Sequence, residues 1–311
     1  MRRYPVILAA LLLMISVAAC QKQAPPHAAA ADAANDNAMT GPAFDGTPRI
    51  ADAPGGVHIQ YRMYGSGNPV VVLIHGWSCD SNYWAAQIEP LKARYTVMTV
   101  DLAGHGGSAA NRSDWSINAF ADDVIAALTA QQVTGPVVLV GHSMGGPVAV
   151  DVARKLGAQA LGVIGVDTLR ISNAPPPSAA ETETRMAPFR ANFIGATRDM
   201  VSGMFFTPSS DPVLARRVAD DMSQAPPEVA LPAMLGLNAW DRIAALSALQ
   251  APIVLINAEQ PPTALAPLRA LAPQLRVVTM AGLGHFLMME DPSRFNPVLL
   301  TQIDALTTDP T

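Results

Sequence analysis

Cysteine is nearly absent, with two in 311 residues. That excludes a disulfide-stapled scaffold and a cysteine-based zinc site. Charge is sparse as well: 14% of residues are charged, and 20 Lys+Arg fall short of 25 Asp+Glu, for a net charge of −5. With neither a basic excess nor a basic stripe, nucleic acid is not an expected partner. No histidine–carboxylate cluster has metal-ligand spacing. The glycines at 104, 106 and 107 follow a strand but complete no G-x-G-x-x-G fingerprint, so no cofactor or metal is expected. Half the residues are hydrophobic, which excludes a disordered chain. The length suits one large α/β domain with an insertion, or at most two domains.

The first twenty residues, MRRYPVILAALLLMISVAAC, are set apart from the fold. Arg2 and Arg3 form a positive head, and the apolar run over residues 6–19 is shorter than the ~20 residues a membrane-spanning helix needs. The run ends in Val17-Ala18-Ala19-Cys20, which resembles a bacterial lipobox, where the cysteine is lipidated and becomes the first residue. The alternative is an ordinary signal peptide cut after a small residue, leaving Cys20 free. Several acyl chains, at about 0.8 kcal/mol per buried CH₂, would hold the protein on a membrane stably. The expected location is the bacterial cell envelope. By resemblance to sorting rules in double-membrane bacteria, Gln21 after the cysteine favours the outer membrane, with the lipid as the sole membrane contact. Residues 20–48 are rich in Ala, Pro, Asp and Asn and read as a solvated tether carrying His27. Cys79 would then be the one ordinary thiol.

From residue 49 onward, short apolar runs alternate with helical patterns. Residues 57–64 alternate like an antiparallel strand after the Gly55-Gly56 turn. Residues 69–74, 95–100, 136–140, 161–166, 252–256 and 275–280 are near-continuous Val/Ile/Leu runs, as expected of parallel strands buried on both faces. Helical patterns lie at 117–132, 147–156, 264–271 and 292–306. This alternation predicts an α/β fold with a mostly parallel, doubly wound sheet of about eight strands. Residues 170–250 break the rhythm, with many prolines and several Met and Phe but no good strand. They read as a helical cap whose large apolar side chains form mainly its own core, a few of them lining a pocket.

Chemistry concentrates at Gly141-His142-Ser143-Met144-Gly145, directly after the strand at 136–140, with Gly146-Pro147 opening a helix. A serine on so tight a strand-to-helix turn needs neighbours without bulky side chains, and Gly141 and Gly145 supply them. The turn exposes the Ser143 hydroxyl and aims a helix N-terminus at any oxyanion formed beside it.

Together with His75-Gly76-Trp77, the Asp101–Ser108 turn and Gly284-His285-Phe286, this elbow resembles the α/β-hydrolase family over residues 49–306. The resemblance implies that Ser143 is the nucleophile and His285 its general base, with the backbone N–H groups of Trp77 and Met144 forming the oxyanion hole. His75, His105 and His142 fall in turn motifs and read as structural, and His58 lies in an early strand. The triad acid is left open. Most of the family places it after the strand at 252–256, where this chain has Asn257-Ala258-Glu259-Gln260. Asp167, ending the preceding strand, is the first candidate, and some members such as haloalkane dehalogenases use that position. Glu259 is the second. Either could instead be a turn cap or a solvated loop carboxylate, and Asp101 and Asp291 read as turn or capping residues. Serine at the elbow argues against halide displacement and epoxide opening, which use a carboxylate there. The expected function is cleavage of a carboxylic ester, or an amide or C–C bond, on a small hydrophobic acyl substrate. The alternatives are a non-catalytic surface-anchored binding protein, or a lyase or transferase on the same triad.

Overall fold

A computed structural model describes residues 44–170 and 178–308 of the chain. The leader, Cys20, His27 and most of the tether lie outside the described residues. Eight strands form one sheet: β1 (Phe44–Ala53), β2 (Val57–Gly65), β3 (Val70–Ile74), β4 (Thr96–Val100), β5 (Val137–His142), β6 (Ala160–Val166), β7 (Ile253–Ala258) and β8 (Arg276–Met280). Their spatial order is β1-β2-β4-β3-β5-β6-β7-β8. The β1–β2 and β2–β4 pairs are antiparallel and every other pair is parallel.

Every residue of β3, β4, β5 and β7 is buried. Helices cover both faces, so these strands have no solvent side on which to place a polar residue. Eleven helices accompany them in the described residues: α1 (Ala85–Lys92), α2 (Ile117–Ala130), α3 (Gly145–Leu156), α4 (Ala179–Ala191), α5 (Phe193–Met200), α6 (Pro212–Met222), α7 (Pro227–Ala239), α8 (Arg242–Ser247), α9 (Leu265–Leu271), α10 (Leu287–Glu290) and α11 (Pro292–Thr308). The first nine residues of α3 are buried, so it runs through the interior. Helices α4–α8 and a π-helical turn (Val201–Phe205) all fall between β6 and β7, where the helical insertion was expected.

Two boundaries differ from the sequence reading. β1 starts at Phe44, inside the segment read as tether, and its first seven residues are exposed or part-exposed. Gly46, at φ 85°, and a register shift between Asp45 and Pro48 break its alternation, which removes the period-2 signal of a strand. α1 gave no signal because Pro90 sits inside it. No helix among the described residues is long and apolar enough to cross a membrane.

Candidate active site

The C-terminal ends of the parallel strands share one edge of the sheet, where ligands gather in open α/β folds. β5 delivers Ser143 there, β6 delivers Asp167, β3 leads into Gly76-Trp77, and the loop after β8 carries His285.

Ser143 stands at φ +50° between β5 and α3. For a residue with a Cβ, that conformation costs about 1–2 kcal/mol. The surroundings hold it: Ser143 N–H donates to Val166 O at 3.0 Å, and its own carbonyl accepts Thr168 Oγ1 at 2.6 Å and Gly146 N–H at 3.0 Å. The flanking glycines leave no room for a side chain. A Cβ on Gly141 would fall 2.0 Å from Gly145 O, and one on Gly145 would fall 2.5 Å from Ile74 O. Gly76 packs on the same turn, where a Cβ would lie 3.2 Å from Ser143 Cβ. Trp77 is thereby fixed beside the serine, with its indole N–H donating to Ala230 O of α7 at 2.7 Å.

The two candidate carboxylates sit differently relative to His285. Its Nδ1 lies 2.6 Å from Asp167 Oδ2, whereas Glu259 is exposed at the end of β7. A carboxylate only accepts, so Nδ1 carries the hydrogen and Nε2 is left as the basic nitrogen. Asp167 also sits at φ +45°, and its Oδ1 accepts Ala258 N–H at 2.8 Å. Arg170 donates to that oxygen too, and to Ala258 O at 2.9 Å. Burial by itself would push the Asp167 carboxyl up. The His285 hydrogen bond and charge, the Arg170 guanidinium and the Ala258 N–H together outweigh it and hold the group below the usual carboxylate range.

Two cap-side groups clamp His285. Its N–H donates to Phe205 O at 2.6 Å, and the Phe205 ring lies 4.4 Å from the imidazole, centroid to centroid. Glu290 steadies the loop by accepting Gly284 N–H at 3.0 Å and Ser210 Oγ at 2.6 Å. His142, next to the serine, donates Nε2–H to His285 O at 3.0 Å, its ring 4.6 Å from that of His285. Burial, followed by the neighbouring His285, pushes His142 down to about 3, so it stays neutral. His75 and His105 are likewise buried turn staples. His75 Nδ1 donates to Gly76 O at 2.8 Å while its Nε2 accepts Leu102 N–H at 3.0 Å. His105 Nδ1 donates to Ala103 O at 2.9 Å. Asp101 is a turn organiser as read, accepting Ser81 N–H, Gln60 Nε2 and Gly107 N–H at 2.8–2.9 Å. Asp291 accepts Arg294 N–H at 3.0 Å.

Three contributors were not singled out from sequence. Arg170 and Phe205 carry no motif. Asn257 occupies the stretch where an acid was sought; buried, it accepts Thr168 N–H at 3.1 Å and donates to Thr168 O at 3.2 Å and Thr263 Oγ1 at 2.9 Å. That amide fixes the residue following Asp167.

A cavity of about 240 Å³ opens at this edge, with Ser143, Met144, Asp167, Leu237 and Trp240 among its walls. A larger one, about 370 Å³, lies between Tyr83, Arg217 and Asp221 and is not lined by Ser143 or His285. No cluster of three or more metal-ligating side chains occurs among the described residues.

A serine on a strained strand-to-helix turn, over the carboxyl ends of a mostly parallel sheet, defines a nucleophile-elbow α/β architecture. The chain belongs to the alpha/beta hydrolase family, whose profile matches residues 71–298. It is similar to a thermophilic esterase from Thermogutta terrifontis, with TM-score 0.74 and 26% identity over 84% of this chain and 99% of the other. It is 33% identical to the pimeloyl-[acyl-carrier protein] methyl ester esterase of Methylococcus capsulatus over 51% of this chain and 62% of that protein. Against the biotin biosynthesis bifunctional protein BioHC of Cellvibrio japonicus, identity is 28% over 76% of this chain and 49% of that protein. The chain spans 26–62% of the length of such curated relatives. Hydrolases and esterases among them support an alpha/beta hydrolase enzyme.

Proposed function

We propose that the protein is a serine hydrolase that cleaves a carboxylic ester through an acyl-enzyme. The carrying observation is the 2.6 Å contact of His285 Nδ1 with Asp167 at the sheet edge that bears Ser143 on its elbow. In this reading Ser143 Oγ attacks the ester carbonyl as His285 Nε2 takes its proton, and Asp167 steadies the resulting imidazolium. The Met144 and Trp77 N–H groups receive the oxyanion; neither donates to another described backbone group in these turns. One such donor is worth about 3 kcal/mol in the transition state. His285 then hands its proton to the departing alkoxide, which leaves as the alcohol. Water, deprotonated by the same imidazole, attacks the acyl-serine and releases the acid. The apolar wall formed by Met144, Leu237 and Trp240 suits a small hydrophobic acyl or alkyl chain.

Fluorophosphonate labelling tests this. Wild-type protein should label at one serine, Ser143→Ala should not label, and His285→Ala should label at least a hundredfold more slowly. Equal labelling of wild type and Ser143→Ala would refute the assignment. We also propose lipidation at Cys20 and attachment to the bacterial envelope, at the outer membrane, on the strength of the Val17-Ala18-Ala19-Cys20 run.

A further inference from the structure

The wall of the catalytic cavity carries more positive charge than the catalytic groups use. Two arginines line it, Arg170 and Arg242, against one carboxylate, Asp167. Arg170 is committed to Asp167 and to the Ala258 carbonyl. Arg242, the first residue of α8, is part-buried, and its guanidinium has no ion pair or side-chain hydrogen bond among the described residues. The carboxylates nearby are otherwise engaged. Asp241 caps α8 by accepting Ala244 N–H at 3.0 Å. Asp151 is paired with Arg154 at 2.9 Å and accepts the Trp240 indole N–H at 3.2 Å.

We propose that Arg242 is a specificity residue that selects esters bearing a carboxylate. The inference deepens the hydrolase reading and takes its location from it. The planar guanidinium matches a carboxylate through two parallel N–H donors, and it gives up water more readily than an ammonium does. Partial burial beside Leu237 and Trp240 makes the attraction stronger than at an open surface. The preferred ligand then has an ester carbonyl at Ser143, an apolar stretch along Leu237 and Trp240, and a carboxylate on Arg242. Half-esters of aliphatic dicarboxylic acids and acyl esters of hydroxy acids both answer that description.

Matched substrates provide the test. Monomethyl adipate is compared with methyl hexanoate, and 6-acetoxyhexanoate with hexyl acetate, by acid release at constant pH. Wild-type protein should favour the anionic member of at least one pair by tenfold or more in kcat/KM. Arg242→Gln should erase most of that preference, mainly by raising KM for the anionic ester, and Arg242→Lys should keep part of it. Arg276→Gln, at the opposite end of the sheet, removes an equal charge and should leave the ratio intact. A purely structural role for Arg242 would depress both members of a pair alike. An unchanged ratio in Arg242→Gln, or no preference in wild type for either pair, overturns the proposal. Calorimetric binding of both pairs to Ser143→Ala protein reads the same preference without turnover. Failure of catalysis and failure of anion selection are thereby told apart.

Discussion

Asp167 and Glu259 offer the same functional group from adjacent strand ends, and their surroundings separate them. Asp167 is buried against His285, Arg170 and the Ala258 N–H, while Glu259 faces solvent. Asp167→Asn should therefore lower kcat on a short p-nitrophenyl ester by roughly 10³–10⁴-fold, as the loss of a triad acid does. Glu259→Gln should stay within about twofold of wild type. A large loss in Glu259→Gln alone would move the acid to β7. Ser143 and His285 could be singled out because the roles proposed for them are tied to local motifs. The acid was only narrowed to two residues, since which carboxylate reaches the imidazole depends on how three strand ends converge. Arg170, Asn257 and Arg242 lie outside any motif: Arg170 reaches Ala258 and Asn257 reaches Thr168 across strand ends far apart in sequence, and Arg242 has no side-chain partner among the described residues.

At the scale of elements, strands buried on both faces announce themselves as unbroken apolar runs, and these matched the observed strands to within a residue or two at most ends. Elements whose signal was diluted did not: β1 is exposed over most of its length, and α1 contains Pro90. Beyond the parallel β6–β7 ladder, the Asn257 amide ties the turn after β6 to β7. Asn257 bonds Thr168 on both its N–H and its C=O. Asn257→Ala leaves those two backbone groups without partners in a buried setting, at a cost of about 2–4 kcal/mol. For a domain of this size the thermal midpoint should fall by roughly 5–15 °C. kcat should fall with it, because Thr168 adjoins Asp167. An unchanged melting curve would show that the amide is dispensable.

For the molecule as a whole, buried imidazoles set the response to acid. Burial depresses His75, and His105 and His142 are pushed down to about 3. Above pH 6.5 these rings are neutral both folded and unfolded, and their contribution to stability is complete. Below it the unfolded chain takes up protons that the folded chain refuses, so stability falls as pH drops toward 3, by about 1.4 kcal/mol per pH unit for each of His105 and His142, with His75 acting in the same direction. Asp123 opposes one ring, since burial raises its carboxyl to about 6 and the folded state binds that proton first. Denaturant midpoints should accordingly decline between pH 6.5 and 4; a flat profile would contradict this account. A second whole-chain expectation concerns location. Cys20→Ser should shift the protein from the membrane fraction to the soluble fraction and abolish lipid incorporation, and continued membrane association without lipid would defeat the anchor.

Cys79 closes the turn that begins at Gly76, its Sγ donating to Trp77 O at 3.3 Å, and burial raises its thiol well above the ordinary value. In a Cys20→Ser background it is the sole sulfhydryl of the chain. Because it is buried, alkylating reagents should reach it when this turn opens. The rate of its modification becomes a stopwatch for how often the proposed oxyanion donor leaves its post, and a tightly bound ester analogue should slow that clock.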